Sequence, residues 1–122
     1  MARIRDLMGT GNSAGSAKAI AGTTAAVTAA GTTQGAATLL SAETNIVTTA
    51  GGADAVVMPT GAQGSQPGDS CYVQNPSSTT CQVFPGGSDS ANGSTSAISL
   101  AQNKMLIAKR LTATTWGYIV TA

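Results

Sequence analysis

Histidine is absent from the 122 residues, which removes the side chain best suited to general-base and metal-ligand work near neutral pH. What remains is two cysteines, Cys71 and Cys81, five carboxylates (Asp6, Glu43, Asp54, Asp69 and Asp89) and many hydroxyls. A structural zinc site needs four ligands with closely spaced pairs, and two thiols ten residues apart do not supply them. The carboxylates are scattered, so no spacing pairs two of them for acid/base work, and no base is in view to activate a serine or threonine. The expectation is therefore no enzyme: no catalytic residue, no metal and no cofactor. The stretch Ser88-Asp89-Ser90-Ala91-Asn92-Gly93 alternates oxygen side chains before a glycine, as calcium loops do. It lacks the further carboxylates and the closing glutamate of such loops. Asn-Gly favours positive φ, and a turn is the reading.

The elements that would have to position such groups are built from very small side chains. Ala, Gly, Ser and Thr make up 67 of the residues, and only four are aromatic. A single domain of this length buries roughly 60–70% of its unfolded surface. With so few large apolar groups, about 25 cal/mol per Å² of buried area sets little against about 1.5 kcal/mol of entropy per ordered residue. Partner burial is expected to supply the difference. Charge is sparse and uneven: Arg3, Arg5 and Lys18 lie near the start, Lys104, Lys109 and Arg110 near the end, and only acids lie between. Six basic residues without a cluster of stacking rings do not make a nucleic-acid surface. The opening Met1–Asp6 runs into polar residues rather than an apolar signal region, and the uncharged run from Ala19 to Ala42 is too rich in Thr, Gly, Ser and Gln for a bilayer span. Neither a secretion signal nor a membrane partner is expected.

Residues 1–20 read as an extended N-terminal arm. The amphipathic Arg3-Ile4-Arg5-Asp6-Leu7-Met8 is followed by the Gly/Ser/Asn stretch Gly9–Ser16, and Arg3, Ile4, Arg5, Leu7 and Met8 are the candidate anchoring side chains, pairing with acids and filling an apolar groove on a partner. Residues 21–122 read as a β-module. The Thr- and Gly-rich segment Ala21–Leu40 favours extended backbone over helix. Beyond it, Thr44–Thr49 ends at Gly51-Gly52 and Ala55–Met58 ends at Pro59, each a β-branched run closed by a breaker. Cys71–Gln74 and Thr80–Phe84 flank Asn75-Pro76-Ser77-Ser78, which reads as a hairpin. Ala97–Leu100 is a short strand, Lys104–Thr112 a longer one with Met105, Ile107 and Leu111 on one face, and Trp116–Thr121 closes the chain. Short strands at this spacing predict an all-β fold, a short-stranded antiparallel sandwich or barrel-like module.

In a hairpin centred on Pro76, Cys71 and Cys81 fall at facing positions with Val73 and Val83 on one face, where a disulfide is geometrically possible. Two buried reduced thiols are the alternative in a reducing cytosol, and a protein that ends outside the cell favours the bond. Tyr72, Val73, Val83, Phe84, Leu106, Trp116 and Tyr118 are the candidates for core or subunit-seam packing.

Several short motifs then fall in a familiar order: Gly31-Thr32-Thr33-Gln34, Leu39-Leu40-Ser41-Ala42, Asn45–Ala50, Val57-Met58-Pro59, Gly68-Asp69, Val73-Gln74-Asn75, Val83-Phe84-Pro85, Asn92-Gly93, Ile98-Ser99-Leu100 and Trp116. Over roughly residues 30–120 this order resembles a β-module of tailed-bacteriophage virion proteins, found in head decoration (cement) proteins, head fibres and some tail-fibre segments. The resemblance implies a homotrimer and a structural role: a decoration protein made in the host cytoplasm that sits on the outer capsid surface of the virion, bound to the major capsid protein, and stabilises the shell. The alternative it implies is a head-fibre or tail-fibre module binding host-surface glycans. The paired cysteines and the basic Lys104–Arg110 depart from that pattern.

Overall fold

The computed structural model describes residues 24–49, 51 and 54–122; the arm read over residues 1–20 lies outside them. Ten short strands follow one another: β1 (Thr24–Thr28), β2 (Thr38–Leu39), β3 (Thr44–Thr48), β4 (Ala55–Val57), β5 (Ser70–Asn75), β6 (Cys81–Phe84), β7 (Ser90–Ala91), β8 (Ile98–Leu100), β9 (Lys104–Arg110) and β10 (Thr115–Val120). Single 3-10 turns occupy Gln34–Ala36 and Gly61–Gln63. The all-β expectation holds at this level. Among the described residues no helix is long and apolar enough to cross a membrane.

The strands form two sheets, ordered β1-β3-β5-β9-β10-β7 and β2-β4-β6-β8. Consecutive strands from β1 to β6 alternate between them, so the chain makes three stacked arcs, each passing from the first sheet to the second. Thr24 lies beside Thr44 and Thr44 beside Tyr72 in the first sheet, while Thr38 lies beside Val56 and Val56 beside Val83 in the second. All these pairings are parallel. Only the later strands turn back: β9 is antiparallel to β5 and β10, and β8 to β6. The sheets are thus mixed, which corrects the antiparallel expectation.

The proposed hairpin is corrected for the same reason. Ser70–Asn75 and Cys81–Phe84 belong to different sheets, and residues 76–80 carry the chain across the core instead of folding one strand onto the next. A local sequence with a turn between two alternating strands fits either geometry, because alternation determines which side chains face the interior but not which strand sits alongside. The buried Asn75 holds the arc. Its Nδ2 donates to the carbonyls of Thr79 (2.8 Å) and Leu100 (2.9 Å), and its Oδ1 accepts from the Ser77 N–H.

Inward positions of the two sheets meet in one core. Val47, Val73, Leu106 and Ala108 come from the first sheet and its neighbours, and Val56, Val83, Ile98 and Leu100 from the second, with Leu40, Met58 and Trp116 filling between. In β9 the interior parity is Leu106, Ala108 and Arg110, so Met105 and Ile107 face outward. Asn92 (φ +49°) and Gly93 (φ +82°) take the left-handed conformation expected of the Asn-Gly turn, bracketed by paired hydrogen bonds between Ala91 and Ser94.

Candidate functional site

Three features stand out on this frame: an apolar outward face, a buried cationic hub behind it, and a cleft where the two sheets open.

On the first sheet the outward positions run in register across strands. Tyr72 of β5 lies beside Ile107 of β9, and Ile107 beside Ile119 of β10; Ile46 lies beside Gln74, and Gln74 beside Met105. Leu111 folds back over Gly117, where an added Cβ would sit 3.0 Å from its Cδ1. Ile46, Ile107, Leu111 and Ile119 are 39%, 37%, 62% and 64% exposed, and they are four of the five exposed large hydrophobics among the described residues. Lys109 is the charged residue among them. A shallow hollow of about 240 Å³ lies at the Gly117 gap between Tyr72, Ile107 and Ile119.

Behind this face, Arg110 is buried with all five of its N–H donors used. Nε donates to Ser65 Oγ at 2.7 Å, Nη1 to the Ala113 and Thr112 carbonyls at 2.8 and 3.5 Å, and Nη2 to the Pro59 carbonyl at 2.7 Å and Asp89 Oδ2 at 2.9 Å. Its guanidinium carbon stands 4.7 Å from the Trp116 ring centroid, a cation–π stack within the usual reach. A planar fork is the group that can tie several loops at once. Here it joins the 59–65 loop, the turn carrying Asp89 and the turn after β9. Sequence reading had no local signal for this role: Arg110 looks like part of a basic tail unless the interior parity of β9 is known.

The cleft, about 240 Å³, opens between the Leu40–Glu43 connection and the 59–65 loop, with Leu40, Cys71 and Trp116 beneath and Glu43 and Asp69 among its lining carboxylates. Both walls are fixed by hydrogen bonds. Asn45 Nδ2 donates to the Ala42 carbonyl (3.0 Å) and the Tyr72 carbonyl (3.2 Å). On the other side Thr60 and Gln63 form a capping box, and Arg110 holds Ser65 and Pro59. Asp69 Oδ2 accepts from the Gln66 N–H. The indole Nε1 of Trp116 and Oδ1 of Asn45 are buried without a partner.

The residues singled out from sequence are distributed as follows. Arg3, Ile4, Arg5, Leu7 and Met8 lie outside the described residues. Val73, Val83, Leu106 and Trp116 are core, Tyr118 packs against the core, and Tyr72 and Phe84 are half-buried on the outward faces of the first and second sheets. Cys71 and Cys81 are free, buried thiols on different sheets rather than facing partners in a hairpin. Burial pushes the Cys71 thiol up to about 12; burial, with the negative charge of Asp54, pushes Cys81 up to about 11. Such thiols stay protonated and act as small hydrophobes. The Asp89 carboxylate turns inward to Arg110, and among the described residues no three Cys, Asp or Glu come together as a metal site.

No family model, no curated protein and no solved structure matches this chain.

Proposed function

We propose that the chain is a structural virion protein, a capsid decoration protein that trimerises on the outer phage head and stabilises the shell through the major capsid protein. The observation that carries the self-assembly part is the clustering of Ile46, Ile107, Leu111 and Ile119 on one sheet face, since contiguous exposed apolar surface on a small protein marks an interaction site. Their fractional exposures amount to about two whole side chains, worth about 3–6 kcal/mol per protomer on burial. That is comparable with the lower end of the ~4–15 kcal/mol cost of association, so Tyr72 and Met105 must join the seam. The virion part is supported by the order of motifs from Gly31 to Trp116. Binding only to the assembled shell would stabilise it by mass action without chemistry, and closed threefold symmetry would match threefold positions of an icosahedral lattice.

The test couples oligomeric state to particle binding. Sedimentation of the wild-type chain at micromolar concentration is expected to give a trimer, and Ile107→Lys with Ile119→Lys a folded monomer that no longer binds expanded capsids. A wild-type monomer, or a trimer untouched by both lysines, would refute the assembly face; a trimer that binds no capsid would refute the virion role.

A further inference from the structure

We infer that the cleft between the sheets is a receptor for a basic, apolar peptide segment, and that its occupant is this chain's own Arg3–Met8. The inference stands whether or not the protein sits on a capsid. Its floor is apolar, formed by Leu40, Cys71 and Trp116, with Leu39, 43% exposed, at the lip. Glu43 and Asp69 bring two carboxylates to it, and neither forms an ion pair among the described residues. Arg110, whose guanidinium stacks on the Trp116 ring of the floor, is already neutralised by Asp89 at 2.9 Å. The cleft therefore presents uncompensated negative charge around an apolar floor. Its complement is a segment alternating positive and apolar side chains, with the cations meeting the carboxylates in charge-assisted hydrogen bonds and the apolar groups covering the floor.

Arg3-Ile4-Arg5-Asp6-Leu7-Met8 has that chemistry, and the topology delivers the chain to the right end of the molecule. Thr24, where β1 begins, pairs with Thr44, the residue after Glu43, and Thr44 pairs with Tyr72, the residue after Cys71. The chain thus enters the first sheet about one 4.8 Å strand spacing from the cleft's Glu43 side. Fifteen residues separate Met8 from Thr24 and span at most about 50 Å, enough to reach the cleft of the same copy or of a neighbour.

The single tryptophan lines the cleft and makes the test site-specific. A full-length chain carrying Arg5→Glu and Leu7→Asp, labelled with ¹⁵N, has one indole N–H resonance and an arm unsuited to the cleft. Titration with a synthetic peptide of residues 1–12 is expected to move that resonance to a saturating position. The same peptide with Arg3→Glu and Arg5→Glu is expected to bind at least tenfold more weakly. Glu43→Lys in the receiving chain should weaken the wild-type peptide by a similar factor. Glu43→Gln, the milder change at a half-buried rim position, should weaken it at least threefold, with far-UV circular dichroism verifying the fold of both. An unmoved indole resonance, or equal binding of the charge-reversed peptide, overturns the inference.

Discussion

Arg110 is where the structure makes its sharpest energetic demand. Replacing it with alanine leaves the Asp89 carboxylate, 5% exposed, without its counter-charge, and breaking a buried pair from one side costs about 3–5 kcal/mol. It also strands the Pro59 and Ala113 carbonyls and removes the stack on Trp116, so the loss should reach at least about 4 kcal/mol, a large share of the ~5–15 kcal/mol available to a domain. Lysine preserves the charge but not the five-donor fork. It can satisfy Asp89 and one carbonyl, and Arg110→Lys should cost about 2–4 kcal/mol for the acceptors left over, at ~1–3 kcal/mol each. Asp89→Asn keeps an acceptor for Nη2 yet buries an unpaired guanidinium, at a similar cost. Urea unfolding followed by far-UV circular dichroism, at one fixed protein concentration because assembly shifts apparent stability, reads these losses. Thermal midpoints should fall by roughly 3–6 °C per kcal/mol. The double variant Arg110→Ala, Asp89→Asn should show coupling of at least about 2 kcal/mol. If Arg110→Ala cost less than about 1 kcal/mol, the hub would be an ornament of the fold and the cleft walls it braces would need another support.

Two further outcomes follow from the same geometry. Both thiols ionise near 9.0 when free and are raised to about 12 (Cys71) and about 11 (Cys81) by burial. Between pH 9 and those values the unfolded chain sheds protons that the folded chain keeps, so their stabilising contribution is intact below pH 9 and declines above it, by about 1.4 kcal/mol per pH unit per thiol. A Cys71→Ala, Cys81→Ala variant should lose that part of the alkaline decline, and the native protein at pH 8 should resist thiol labelling until urea is added. Gly86→Ala would place a Cβ 2.5 Å from the Met58 carbonyl oxygen, too close for backbone to absorb. The turn whose Asp89 N–H bonds the Gly86 carbonyl must shift, and a loss of about 2–3 kcal/mol in the same unfolding assay is expected; an unchanged midpoint would show that the loop is free to move.

How much of this was written in the chain can be judged element by element. The β-branched runs Thr44–Thr49 and Ala55–Met58, each closed by a breaker, became β3 and β4, each one residue shorter, and Asn92-Gly93 became the turn its chemistry demands. These are local properties: side-chain branching and backbone preference act within a few residues and survive any arrangement of sheets. Strand partnership is different, because a turn between Asn75 and Cys81 serves a hairpin or an arc equally well. Only the stacking of Thr44 on Tyr72 and of Val56 on Val83 selected the arc. In β9 alternation sets Met105 and Ile107 on one face and Leu106 on the other, and the core reading of Leu106 matches the structure, but only packing brought Ala108 and the charged Arg110 inside with it. The small-residue composition carries only the expectation of partners, whereas tertiary structure decided where the exposed apolar side chains lie: on one sheet face, because the alternation of each strand that turns Val47, Leu106 and Trp116 into the core turns Ile46, Ile107 and Ile119 away from it.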